Sequence, residues 1–293
     1  MLRRVIASVL GDRQKRALKS KINQAKLRVV QALFSYDADG LIDGLRAMGL
    51  TETDTVLVHS NFEPDSGFKG APIDLVNALA TFLGERGNLL MVSIPFRGSA
   101  YDHLALNKKF DVRKTLSMMG LVTEMFRRRP GTRRSLHPTH PVLVLGKDSE
   151  WLTAGHEDCR YPCGPGTPFE KFHQLNGKIL FFDVGFGAIT FFHHVEHSLQ
   201  GDLPFPVYDE RLFDANVVDA EGQPRIVHTY AYSKVPRSAE KLEAEMTRRG
   251  KIRKGRVGNS RMLLVTAADV VTCQSEMVKA GNYPYDAPAT AAS

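Results

Sequence analysis

Residues 55–61 read Thr-Val-Leu-Val-His-Ser-Asn, residues 72–83 read Pro-Ile-Asp-Leu-Val-Asn-Ala-Leu-Ala-Thr-Phe-Leu, and residues 88–92 read Asn-Leu-Leu-Met-Val. The first and last are short apolar runs of strand length. The middle one is a helix pattern, with proline in its first turn and Gly84 beyond its end. Strand, helix and strand in that order are the unit of an α/β layered fold with a largely buried sheet.

Working outward, the same signals recur. Asp37 to Met48 reads as a helix ending at Gly49, and Gly120 to Arg128 as another. Pro141-Val-Leu-Val-Leu145 and Lys178-Ile-Leu-Phe-Phe182 read as buried strands, and Ala188 to Leu199 as the helix after the second. Beyond Pro204, residues 225–232 alternate like a strand, 240–249 form a charged helix, and 255–265 form a turn and strand. No internal repeat or clean linker interrupts the chain.

The length of 293 residues and a 43% hydrophobic content suffice for one large core, which excludes wholesale disorder and fibrous architectures. Three cysteines cannot build a disulfide framework and suit a reducing cytosol. No apolar run reaches the ~18 residues needed to span a bilayer. The net charge of +7 is uneven: residues 1–30 hold nine of the 39 Lys/Arg and one of the 32 Asp/Glu. The other 30 basic and 31 acidic residues leave the body near neutral.

Leu18, Ile22, Ala25, Val29 and Leu33 fall at helical spacing within that basic segment. The expected organisation is a basic amphipathic helical arm over residues 1–36, one domain over 37–285 and a disordered tail over 286–293. The arm has two expected uses: peripheral contact with the inner face of a membrane, or packing on the body or a second copy in a homo-oligomer.

Three clusters carry the chemistry. On a helix, Thr190, His193, Glu196 and His197 share one face. A histidine oriented by a carboxylate suits a general base, and a polar helix face is the plain alternative. His194 and His197 compete with His193 for the role. His193-His-Val-Glu196-His197 also matches H-x-x-E-H, a zinc-peptidase pattern, with Glu243, Glu245 or Glu276 as third ligand. The second cluster, residues 127–140, sets Arg127, Arg128, Arg129, Arg133 and Arg134 around a Pro-Gly turn. It suits a phosphorylated cofactor, or is simply a solvated basic turn. No aromatic residue interleaves it for base stacking, so nucleic acid is not expected. In the third, Cys159-Arg-Tyr-Pro-Cys163-Gly-Pro-Gly-Thr167, a lone C-x3-C pair is a weak metal signal. Its glycines suit a turn close to a ligand.

Together these motifs resemble the antibiotic N-acetyltransferase family, the aminoglycoside 3-N-acetyltransferases and their relatives. The matching elements are Val56-Leu-Val-His59-Ser60, Phe110-Asp111 leading to Met119-Gly120-Leu, and Arg134-Ser135-x-His137-Pro138-x-His140. They continue through Gly164-x-Gly-Thr167-Pro168, Gly177-Lys-Ile-Leu, Gly185-Phe186, Thr190-x-x-His193-x-x-Glu196 and Gly255-x-Val-Gly258, in the family's order. The resemblance implies a three-layer α/β/α sandwich around a central mixed sheet, acetyl-CoA as donor, a sugar amine as acceptor, and no metal.

On that resemblance His193 is the base, Glu196 orients it, and Thr190 lies near the reacting atoms. His59, Ser60, Asn61, Arg134, Ser135, His137, Thr139 and Thr167 are the expected donor-binding residues. Four departures stand out: Gly187 replaces aspartate, Asn61 and Pro141 each replace serine, and Ile189-Thr190-Phe191 replaces Asn-Thr-Ser. Because the body is near neutral, the first expectation is a nucleotide- or lipid-linked amino sugar for surface polysaccharide, acetylated in the cytoplasm. An aminoglycoside, as in antibiotic resistance, is the alternative. A catalytically inactive coenzyme-binding module is the reading from another class.

Overall fold

The computed structural model describes residues 11–286. The first ten residues of the expected arm and the tail from 287 lie outside the described residues.

The arm contributes α1 (Asp12–Leu33), followed by α2 (Ala38–Ala47), which Asp37 caps by accepting from the Gly40 N–H at 3.1 Å. Then come β1 (Thr55–Ser60), α3 (Pro72–Leu83), β2 (Asn88–Val92), α4 (Ala100–Ala105) and β3 (Phe110–Asp111). The middle of the chain forms α5 (Leu121–Arg128), β4 (Arg133–Arg134), β5 (Val142–Gly146), α6 (Ser149–Thr153), α7 (Pro168–Gln174), β6 (Lys178–Phe182) and α8 (Phe192–Ser198). The last third forms β7 (Tyr208–Val218), β8 (Pro224–Tyr232), α9 (Ala239–Arg248), β9 (Arg253–Val257), β10 (Ser260–Thr266) and α10 (Ala267–Lys279).

Seven strands form one mixed sheet in the order β4-β5-β2-β1-β6-β10-β9. β1 is parallel to both β2 and β6, and the outer pairings are antiparallel. Alternate residues point to opposite faces of a strand, and here both faces are covered. Leu57, Leu90, Val92, Ile179 and Phe181 join one apolar cluster, with residues of α7, α8, α9 and α10. Val56, Val58, Leu89, Met91, Leu180 and Phe182 join the other, with residues of α2, α3 and α5. This two-sided burial explains why β1, β2 and β6 read as unbroken apolar runs, and it makes the three layers expected from the sequence. A smaller sheet, β3-β7-β8, stands beside it.

The β9–β10 turn needs its glycine. Gly258 has φ of +54°, and a Cβ there would meet the Phe34 carbonyl at 2.2 Å and the Tyr36 ring at 2.3 Å. The close approach seats the end of the arm on this hairpin, and the Tyr36 hydroxyl shares a 2.6 Å hydrogen bond with Ser260. The rest of α1 is largely uncovered: Val30 is buried, but Ile22 and Val29 are exposed.

One expected element is shorter than its pattern. Helical periodicity predicts a helix from Ala188 to Leu199, but Phe186–Ala188 is a separate 3-10 turn and Ile189 is extended, with ψ of 96°. α8 begins only at Phe192. Thr190 therefore precedes the helix, and its carbonyl accepts from the His193 N–H at 3.1 Å.

Candidate active site

A cavity of about 640 Å3 opens between the chain after β2, the start of α4 and the chain after β8. Its wall includes Ile94, Phe96, His140, His193, Tyr232 and Ser233. Parallel strands commonly present ligand sites beyond their carboxyl ends, and Ile94 and Phe96 follow β2 directly.

Of the three neighbouring histidines, only His193 lines this cavity. His194 Nδ1 bonds the Cys163 carbonyl at 2.9 Å, and His197 Nδ1 bonds the Tyr208 hydroxyl at 2.9 Å. Position thus separates His193 from its two neighbours.

The His193 ring is fixed from several directions. Nδ1 lies 2.9 Å from Glu196 Oε2, and Tyr232 stacks on the ring at 4.3 Å. Glu196 is fully buried and accepts Arg237 Nε at 2.9 and 3.0 Å and the Tyr285 hydroxyl at 3.0 Å. A carboxylate so held accepts the Nδ1 proton, which leaves Nε2 with the free lone pair. Burial pulls the His193 pKa down further than Glu196 raises it, so near neutral pH the ring is uncharged and able to take a proton. Burial opposes the Glu196 charge, but His193 and Arg237 outweigh it and keep the carboxyl ionised.

Behind this pair runs a second row of histidines. The Thr139 and His140 backbone N–H groups point at His137 Nδ1 at 3.3 and 3.4 Å, so that nitrogen accepts. Thr139 Oγ1 can then donate to His137 Nδ1, 3.2 Å away, and accept from His140 Nδ1 at 3.0 Å. His137 stacks on His156 at 4.5 Å. Burial holds both His137 and His140 well below the ordinary histidine pKa and His156 at about 3. The row stays uncharged and supports the wall through His140, whose ring meets that of His193 edge-on at 5.9 Å.

The other expected residues are placed differently. Thr190 is buried and does not line the cavity, because its helix starts two residues later. Ser135, His137, Thr139 and Thr167 are enclosed and bonded within the protein. Ser135 Oγ bonds His156 at 2.8 Å, and Thr167 Oγ1 donates to the Gly164 carbonyl at 2.6 Å. Arg134 stacks on Phe110 and donates to the Thr115 and Ser93 carbonyls at 2.6 and 2.8 Å. These side chains shape the wall rather than present groups to a ligand in the His193 cavity.

His59 and Ser60 sit at the end of β1, where His59 stacks on Phe181 at 5.3 Å. His59 Nε2 and Ser60 Oγ are buried without a protein partner, and burial holds the His59 pKa at about 4. Asn61 is exposed and donates to Glu63 at 2.6 Å. Gly187 leaves a gap in which a Cβ would come within 3.8 Å of Glu240 Oε1.

The H-x-x-E-H reading meets a plain obstacle. Glu196 is closed in by Arg237 and Tyr285, and His197 turns to Tyr208. Among the described residues no group of three His, Cys, Asp or Glu side chains is disposed to hold a metal ion.

Sequence reasoning missed Arg237, Tyr285, Tyr232 and Ser233. Arg237 and Tyr285 lie 41 and 89 positions from Glu196, with no local pattern to announce them. Ser233 Oγ is buried in the cavity wall and has no protein partner.

Known proteins share this chain's fold and much of its length. The family described as aminoglycoside 3-N-acetyltransferase matches residues 57–279. Aminoglycoside N(3)-acetyltransferase VII of Streptomyces paromomycinus is 30% identical over 256 residues, covering 78% of this chain and 86% of that one. Aminoglycoside N(3)-acetyltransferase III of a Salmonella species is 24% identical over 79% of this chain and 87% of its own. Among solved structures, the aminoglycoside acetyltransferase AAC(3)-Xa superposes with a TM-score of 0.75 at 24% identity, over 90% of this chain and 99% of its own. The enzyme AAC-IIIb, solved with coenzyme A, gives 0.72 at 21% identity, over 86% and 99%. These two likenesses establish the fold. The chain belongs to the aminoglycoside 3-N-acetyltransferase family, and is an acyltransferase with acetyl-CoA as its cosubstrate.

Proposed function

We propose that the protein acetylates a primary amine of an aminoglycoside-type amino sugar, with His193 as general base. The observation that carries this reading is the line Arg237–Glu196–His193, which ends at an uncharged imidazole in the wall of an open cavity. An alkylammonium must lose a proton before it can attack a thioester. His193 Nε2 takes that proton, the amine nitrogen bonds to the acetyl carbon, and the carbonyl oxygen becomes an oxyanion. Collapse breaks the carbon–sulfur bond, the departing thiolate takes the proton back from the imidazolium, and the freed imidazole then accepts the second proton from the new amide nitrogen and releases it to solvent. Ser233 Oγ, unpartnered in the same wall, is a suitable donor to the oxyanion.

The acceptor first expected, a nucleotide- or lipid-linked amino sugar, has no support among the relatives, whose names are those of aminoglycoside N(3)-acetyltransferases. That expectation rested on the charge of the whole body, and such a sum says little about one cavity. Arg97 and Lys234 make this wall basic, which suits the anionic donor. Sisomicin bound to the structural relative AAC-VIa, 25% identical with a TM-score of 0.70, supports an aminoglycoside acceptor.

The test is thiol release from acetyl-CoA against a panel of aminoglycosides and nucleotide-linked amino sugars. Release with aminoglycosides alone is expected. Release with nucleotide sugars alone would overturn the acceptor, and coenzyme binding without any release would overturn the activity.

A further inference from the structure

Six arginines converge on one cavity beside β4. Arg113, Arg127, Arg128, Arg129, Arg133 and Arg134 line a space of about 610 Å3, and among the described residues no Asp or Glu lines it. Two carboxylates pair with these arginines: Glu124 with Arg127 at 2.7 Å and Arg128 at 2.8 Å, and Glu150 with Arg133 at 3.4 Å. A large excess of guanidinium charge remains.

A second observation is independent of the charge. Arg129 Nε, Thr132 Oγ1 and Arg134 Nε are all buried without a protein partner, and all three residues line this cavity. A buried donor left unpaired is costly, and native folds contain few of them. Water would satisfy the donors but leave the like charges facing each other. Burial first, and then the neighbouring Arg127, pull the Arg134 guanidinium down to about 9, so it is crowded by charge of its own sign. An anion relieves both defects at once.

The Arg133 and Arg128 side chains are more than half exposed, which gives access from solvent. Guanidinium forks match the oxygens of phosphate in paired contacts. We infer that this arginine-walled cavity is a second anion site that takes a phosphorylated small molecule, distinct from the cavity holding His193. The two cavities share no lining residue; Ile94 lines the His193 cavity, and Arg134 of the second donates to the carbonyl of the adjacent Ser93.

The phosphate has two sources, the phosphorylated end of the acetyl donor or a free anion such as pyrophosphate. The first rests on the proposed transfer reaction and the second does not.

Inorganic pyrophosphate, titrated calorimetrically into the full-length protein, is expected to bind saturably and to weaken with added salt. Arg129→Gln combined with Arg133→Gln is expected to weaken it at least about tenfold. Arg133→Gln alone, at an exposed position, guards against a folding defect in the double variant and is expected to weaken binding severalfold. Lys19→Gln with Lys21→Gln, on the basic arm, is expected to leave it unchanged. If pyrophosphate competes with acetyl-CoA, and the double variant raises KM for acetyl-CoA but not for its 3′-dephospho form, the donor is the occupant. If pyrophosphate binds without competing, the occupant is a free anion. Equal binding by wild type and double variant, or no binding to either, overturns the proposal. Failure of acetyl transfer would sink the proposed function and leave the titration standing.

Discussion

At the residue scale, the proposed chemistry turns on how one imidazole is held. Glu196 favours the protonated ring and burial opposes it, and burial wins. The active form is therefore the one present above the His193 pKa. We expect kcat/KM to fall as pH drops through an apparent pKa below 6.5, the ordinary histidine value. Replacing Glu196 by Gln removes the charge that favours the imidazolium. The variant's acid limb should move to still lower pH while its plateau rate drops by about ten- to a hundredfold. A pH–rate profile of both proteins checks this, and an unmoved limb would show that Glu196 is not coupled to the titrating group.

Ser233→Ala is expected to lower kcat by about a hundredfold with little change in KM, as loss of an oxyanion donor does. A rise in KM alone would assign the hydroxyl to binding. The relevant contacts were only partly legible in the sequence. His193 and Glu196 stand three positions apart and announce themselves. Arg237 and Tyr285 reach Glu196 only because the chain after β8 and the segment after α10 fold back over α8.

At the scale of elements, sequence reading succeeded where burial is two-sided. β2, β6 and α3 have the bounds that their apolar runs predict, because each residue of such a strand meets a covered face. It failed where local backbone decides. Nothing in the apolar pattern distinguishes the extended Ile189 and the 3-10 turn before it from a first helical turn, so Thr190 was placed on a helix it precedes. Exposure, not pattern, also decided the fate of Ser135, His137, Thr139 and Thr167, whose polar atoms serve neighbouring strands and turns.

The arm gives an element-scale prediction. α1 buries Val30 but leaves Ile22 and Val29 exposed. Substituting Ile22 and Val29 by Gln should lower the unfolding free energy, measured by denaturant titration, by no more than about 0.5 kcal/mol each. A larger loss would mean that this face is covered in solution, which sedimentation would then reveal as self-association.

At the scale of the molecule, three buried neutral histidines make the fold sensitive to acid. In the unfolded chain His137, His140 and His156 take up protons near pH 6.5. In the fold burial keeps them uncharged to much lower pH. The folded pKa values are depressed, so the unfolded state binds more protons as pH falls below 6.5, and stability falls with it. Each such histidine contributes a slope of about 1.4 kcal/mol per pH unit in that window. Denaturant midpoints between pH 7 and pH 5 should therefore fall steeply, before the carboxylates titrate. A flat profile over that range would show that the row behind the cavity is already charged or open to water.

In the proposed reaction His193 removes a proton from a sugar amine while acetyl-CoA lies alongside. Its most direct test compares wild type with His193→Ala, each shown to be folded, by thiol release from acetyl-CoA with an aminoglycoside acceptor across pH. The variant is expected to lose about a hundredfold or more in kcat, together with the acid limb of the profile, while acetyl-CoA still binds. A variant that turns over at the wild-type rate with the same acid limb would contradict it.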